Sequence, residues 1–197
     1  FDFELHKNYF RNHLTTLISQ YEELDSSRIM VLFFSLCSLD ICYGENFDDF
    51  IAKERNQIID WIYSLQVKSK GNFKGGGFRG STTSGNIFSP KLGSEPVNQL
   101  DIAHVTCTHV AILSLIILKD DLRNLDRFSI LETLSYLQLP DGSFKSQTSC
   151  SESDARFFYC TCVICVLLNG WHYINVDKLL IYIISCQVKT PLLFEEL

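Results

Sequence analysis

Three kinds of side chain in this sequence could carry chemistry: clustered thiols, a pair of imidazoles, and one guanidinium set in an apolar run. Cys160, Cys162 and Cys165 are spaced closely enough to suggest soft-metal ligation, but a zinc module needs a second such cluster and none follows, so they read as packed thiols. Asp40-Ile41-Cys42-Tyr43 offers a carboxylate and a thiol, whereas a catalytic ion wants three converging ligands. His104 and His109 stand five apart, roughly 140° around a straight helix, and cannot both aim at one ion. Neither lies in an HExxH pattern. Arg156 enters a run that is otherwise apolar, where an arginine requires an anionic or carbonyl partner. Tyr159, three residues on, shares its helical face. The Gly75-Gly76-Gly77 run lacks the Gly-Lys-Ser ending of a nucleotide loop and reads as a turn.

These residues sit within a repeated grammar. Ile59 to Gln66 runs into Gly75-Gly76-Gly77-Phe78, and Ile130 to Gln138 runs into Asp141-Gly142-Ser143-Phe144. A third copy begins at Ile181 to Gln187, after which residues 188–197 abandon the pattern. The glutamines are 72 and 49 residues apart, as expected where helical units stack. Apolar periodicity predicts helices over 6–19, 28–42, 47–66, 101–118, 125–137, 154–168 and 176–186. Ser26 or Ser27, Asp101 and Ser153 or Asp154 are candidate caps, and Asn169-Gly170 a stop. The helices at 28–42, 101–118 and 154–168 are apolar almost all round; those between are amphipathic. Such alternation predicts an all-α, α/α toroid of inner helices walled by outer ones, here an incomplete arc forming one domain over 1–197. Period-2 runs are missing, so strands should be few. The glycine-, serine- and proline-bearing stretch 68–98 reads as a long connection of functional length.

Bulk properties narrow the classes. A formal charge of −6 with scattered Lys and Arg provides no basic stripe, which excludes a nucleic-acid footprint. Apolar runs such as Val110 to Leu118 fall short of the ~20 residues of a membrane span. Eight cysteines, with Cys37, Cys107, Cys160, Cys162, Cys165 and Cys186 inside apolar runs, predict buried free thiols and a reducing, cytoplasmic setting. The bare apolar helix 176–186 predicts poor solubility alone.

Several ordered blocks carry a family resemblance: Thr15 to Arg28 leading into Phe33-Phe34-Ser35-Leu36 and Leu39-Asp40; Trp61 to Val67; Gly77-Phe78-Arg79-Gly80-Ser81; Ile117 to Leu122; Leu137-Gln138 with Asp141-Gly142-Ser143-Phe144; and Asp154 to Cys160. The chain resembles the protein prenyltransferase β-subunit family from about His6 to Cys186, with the tryptophan block and the GFRGS turn favouring its type I geranylgeranyl members. The resemblance implies transfer of a C20 group from geranylgeranyl diphosphate to the cysteine of a C-terminal CaaX box, usually with a final Leu. It further implies a zinc ion that binds that cysteine as thiolate, and a helical α subunit as partner. By position, it implies lipid lining for Met30, Phe34, His109 and Tyr159, and CaaX-peptide contact for Arg156. Met30 falls where farnesyl enzymes carry Trp and geranylgeranyl enzymes Thr; a flexible Met yields space that Trp cannot. His109 replaces a usual Tyr. Asp40-Ile41-Cys42-Tyr43 mimics the family's zinc motif but occupies a non-ligand segment.

The zinc ligands and diphosphate-gripping residues of the family come from later repeats. No catalytic residue and no metal ligand is therefore expected within 1–197. Opening on Phe1 rather than Met, the chain reads as a fragment or an incomplete gene model, and the resemblance makes it an N-terminal portion, inactive alone. The alternatives are a short non-catalytic isoform that binds the α subunit or prenylated proteins, a farnesyl-type β subunit, or a plain helical scaffold.

Overall fold

A computed structural model describes residues 2–17, 19–69, 75–83 and 102–187. Asp101, most of the 68–98 connection and 188–197 lie outside the described residues. The helices are α1 (Phe3–Thr15), α2 (Arg28–Tyr43), α3 (Phe47–Ile51), α4 (Arg55–Ser64), α5 (Val105–Ile117), α6 (Arg127–Leu137), α7 (Ala155–Leu167) and α8 (Val176–Ser185). Short 3₁₀ segments occupy Ser19–Ser27, Gly44–Asn46 and Trp171–Tyr173.

The apolar helices form the inner layer: α2 packs on α5, and α5 on α7. Their burial explains the apolar faces, with Ile29, Leu36 and Leu39 of α2, Ala111, Ile112 and Leu115 of α5, and Ile164 and Cys165 of α7 all at or near zero exposure. Each such side chain contributes roughly 1.5–3 kcal/mol by leaving water. α5 and α7 also stop in the same way. Lys119 (φ 59) and Asn169 (φ 52) turn left-handed, and the next N–H groups, of Asp120 and Gly170, bond back to Leu115 and Cys165 carbonyls.

The two Leu-Gln signatures perform one structural task. Gln66, 2% exposed, accepts from the N–H of Asp126 at 2.7 Å and donates to the Asn124 carbonyl at 3.0 Å. Gln138 accepts from the N–H of Asn175 at 2.7 Å and donates to its carbonyl at 2.9 Å. Asp126 and Asn175 are the N-caps of α6 and α8, so the glutamine ending one outer helix clamps the capped start of the next. The glycine turn then leads inward: β1 (Gln66–Val67) pairs antiparallel with β2 (Gly77–Phe78), these being the only named strands among the described residues. Phe78 N–H bonds Thr108 Oγ1 at 2.9 Å, docking the turn on α5. Gly80 lies against the Ser26 carbonyl, leaving no room for a Cβ, while its own carbonyl accepts from Ile29 N–H at 3.0 Å. That contact seats the turn on the start of α2.

Three sequence expectations need correction. The helix foreseen over 47–66 is broken at 52–54. There the Glu54 N–H bonds the Ile51 carbonyl three residues back, and Arg55 reaches back to the Asp48 carboxylate at 2.6 Å. The first helix spans 3–15 rather than 6–19, because Asp2 caps it through Leu5 N–H and the chain leaves helical angles at Thr16 (φ −135, ψ 121). Cys186 is exposed and Cys37 and Cys162 are half-buried, so not every thiol in an apolar run is a core residue. All eight cysteines are free.

Ser19–Ile51 is long and apolar enough to cross a membrane by length and composition. It is not one straight helix. Tyr21 (φ −112, ψ 16) and Gly44 (φ 54, ψ −127) interrupt it, and α2 itself has 16 residues, about 24 Å of rise against a ~30 Å hydrocarbon core. Among the described residues, α2 buries Ile29, Leu32, Leu36 and Leu39.

Candidate functional site

The first residues of all three inner helices meet at one end of the layer. There they line a cavity of about 380 Å³ with Ser26, Ser27 and Met30 from the start of α2, His104 and Thr106 from that of α5, and Arg156 and Phe157 from that of α7. The shared end means that α2, α5 and α7 run parallel, so their positive dipole ends converge on the cavity. Arg79, Gly80, Gln147 and Glu152 complete much of the wall.

Met30 is half-buried in this wall. Arg156 is well exposed, and its partner is local: its Nε donates to Asp154 Oδ1 at 2.8 Å and its Nη2 to Oδ2 at 3.3 Å. Asp154 also caps α7 by accepting from Arg156 N–H at 2.7 Å, and these bonds hold its carboxyl below the usual carboxylate range. The arginine is thus oriented by its own helix cap, with much of its side chain open to the cavity.

Two cavity residues escaped the sequence reading of the site. Arg79, 3% exposed, donates through Nη2 to the Ser64 carbonyl at 3.3 Å. The signal was present in the GFRGS turn, but only the fold brings that turn beside Met30. His104, not Asp101, caps the start of α5: its Nδ1 accepts from Thr106 N–H at 3.2 Å. A neutral ring in that role carries its proton on Nε2. Burial, opposed by Glu152 and assisted by Arg156, pushes its pKa below the ordinary value of 6.5 and favours the neutral form.

Deeper along the same helices runs a chain of rings. Phe34 and Phe33 have centroids 5.4 Å apart, Phe33 and His109 6.5 Å, and His109 and Tyr159 5.5 Å in an edge-on contact. Phe34 and Tyr159 are 59% and 58% exposed, large apolar faces left open on α2 and α7, while His109 between them is 7% exposed. His109 Nε2 is buried with no hydrogen-bond partner among the described residues, and burial lowers its pKa, favouring the neutral ring. The structure therefore joins Phe34, His109 and Tyr159 in one aromatic strip spanning three inner helices. Met30 and Arg156 belong to the cavity at the end of that strip.

The arrangement offers a polar, cation-bearing mouth and an apolar aromatic floor, but no activated nucleophile. Burial pushes the Cys107 and Cys165 thiols up to about 12 and raises Cys160 and Cys162. Such thiols stay protonated near neutrality and are poor nucleophiles and ligands. Among the described residues no three of His, Cys, Asp and Glu gather where they could hold a metal ion. Asp40 is exposed at the far end of α2 and Cys42 brings no third ligand with it. A catalytic zinc does not fit the described side chains.

Comparison with known proteins agrees with the helical order. The family model of the prenyltransferase alpha-alpha toroid domain matches residues 1–190. The geranylgeranyl transferase type-1 subunit beta of Dictyostelium discoideum is 29% identical over 188 residues, which cover 90% of this chain and 53% of that protein. Its counterpart in Arabidopsis thaliana is 25% identical over 194 residues, covering 95% and 49%. The chain thus spans about half the length of these curated relatives. Among solved structures, Candida albicans protein geranylgeranyltransferase-I complexed with GGPP matches with a TM-score of 0.69 at 22% identity, over 93% of this chain and 51% of that one, a likeness of fold. Parallel inner helices, amphipathic outer helices clamped glutamine to cap, and a domain match over nearly the whole chain lead to one assignment: the protein belongs to the prenyltransferase alpha-alpha toroid family.

Proposed function

We propose that this chain is part of a protein prenyltransferase β subunit that moves a geranylgeranyl group from geranylgeranyl diphosphate to the cysteine of a C-terminal CaaX sequence ending in Leu. The observation that carries the reading is the continuity of the site. An aromatic strip through Phe34, His109 and Tyr159 leads to a cavity holding Met30 and Arg156. The strip suits an isoprenoid chain, whose burial yields roughly 0.8 kcal/mol per CH₂. The mouth suits an extended peptide end, with Arg156 as the donor to a carboxylate or backbone carbonyl. The type-1 relatives support the C20 lipid, as does Met30, a side chain that can bend away from the last isoprene unit.

In this reading the zinc that generates the acceptor thiolate is held by residues of later repeats, as the family resemblance implies; among the described residues no ligand set gathers. The chain then supplies walls for lipid and peptide, works with an α subunit, and suits a cytoplasmic setting that keeps its eight thiols reduced.

The test is a chimera in which residues 1–187 replace the matching part of a complete type-1 β subunit, paired with its α subunit and supplied with zinc, labelled geranylgeranyl diphosphate and a CaaL peptide. Transfer of the C20 group is expected; preference for farnesyl diphosphate would favour the farnesyl-type alternative. The chain by itself with α subunit should give no turnover. Measurable transfer there would overturn the placement of the metal site outside it. Lipid binding without transfer by the folded chimera would favour the non-catalytic isoform.

A further inference from the structure

Within the aromatic strip, the His109 imidazole is the side chain of a type that changes charge near neutrality. It lies 7% exposed on α5, its ring centroid 6.5 Å from that of Phe33 on α2 and 5.5 Å from that of Tyr159 on α7. Its Nε2 has no hydrogen-bond partner among the described residues. The helices packed on α5 carry few charges: Arg28 and Asp40 on α2, Arg55 and Asp60 on α4, and Arg156 on α7. None of these shifts the ring, whose pKa is lowered by burial alone. β2, also packed on α5, has no titratable side chain. Burial raises the thiols of Cys37 on α2, Cys107 on α5 and Cys160, Cys162 and Cys165 on α7, so they add no charge near neutrality.

A second ring proton turns Nε2 into a charged N–H with no acceptor opposite it, in a wall of aromatic rings. While the outer faces of Phe34 and Tyr159 are open, nearby water softens that cost. A lipid laid across those faces removes the water, so the charged ring becomes costlier still. We infer that His109 couples lipid binding to a proton: an isoprenoid chain settles on the strip over the neutral imidazole, and protonation of the ring displaces it. The inference deepens the lipid-floor reading of the proposed function and rests on it. Because the neutral ring is the binding form, affinity is full above about 6.5 and declines as pH falls through the ring's own, lower value.

Equilibrium dialysis of the full chain against labelled geranylgeraniol between about pH 5 and about pH 8 tests it. The alcohol replaces the diphosphate so that the probe has no titrating group of its own. Helical circular dichroism at each pH separates loss of lipid from loss of fold. Affinity should fall toward the acid end, at a slope approaching about tenfold per pH unit. In His109→Phe the profile should be flat, whereas His104→Asn, which keeps a capping side chain on α5, should retain the decline. By NMR, the His109 ring should titrate at a lower pH with the alcohol bound than without it. Binding indifferent to pH, a decline that persists in His109→Phe or vanishes in His104→Asn, or a His109 titration unmoved by the alcohol would overturn the inference and leave the lipid floor standing. Absence of binding at every pH would overturn the lipid floor and the inference with it.

Discussion

His109 shows how a single side chain can mark the site. It is buried, its Nε2 lacks a partner among the described residues, and its ring meets Tyr159 edge-on. An orphaned buried nitrogen costs of order 1–3 kcal/mol, so His109→Phe should raise unfolding stability by about 1 kcal/mol in chemical denaturation. The pH dependence follows the same residue. His104 and His109 have folded pKa values below 6.5, so the unfolded chain binds more protons as pH falls through that value. Stability is therefore full above about 6.5 and declines below it, before Asp48, Asp141 and Asp154, all held below 3.8, add their own acid loss. His109→Phe should remove part of the first decline in a pH series of denaturation midpoints. In the chimeric enzyme, Met30→Trp should move lipid preference toward C15. An unchanged preference would place Met30 away from the lipid terminus. The sequence pointed to Arg156 because a charge interrupts an apolar run there, and to His109 and Tyr159 only through the family resemblance. It did not point to His104 as a cap, since imidazole is an uncommon acceptor in that role.

At the level of elements, the repeat was legible and its meaning was not. Leu-Gln at the end of α4 and α6 announced stacked units, but only the fold reveals that the amide carries a two-way bond to the next cap. With about 1 kcal/mol for each bond, Gln66→Ala or Gln138→Ala should cost about 2 kcal/mol. Gln66, the more buried of the two, should cost the more. Gly142 makes a stricter demand. Its φ of +93° and its contact with the Lys178 carbonyl leave no room for a side chain, so Gly142→Ala should destabilise by about 1–3 kcal/mol. The break between α3 and α4 was hidden because 47–66 has unbroken helical periodicity, without Gly or Pro. Across the break Arg55 bonds the Asp48 carboxylate, a contact that pattern alone does not encode.

For the molecule as a whole, the order of apolar and amphipathic helices was enough to foresee two layers, because a helix apolar all round must be walled by others. The site was half legible. Residue types suggested its members, but the parallel run of α2, α5 and α7, which brings their starts to one cavity, arises only from packing. The proposed function requires the exposed aromatic strip to be a lipid floor. The most direct measurement is photo-crosslinking of the full chain with a geranylgeranyl diphosphate analogue bearing a reactive group on its terminal isoprene, followed by peptide mapping. Labelling should concentrate on α2 around Met30 and Phe34 and on α7 around Tyr159, and fall strongly in Tyr159→Asp. Labelling confined to the outer helices α6 and α8, or indifferent to Tyr159→Asp, would contradict the account.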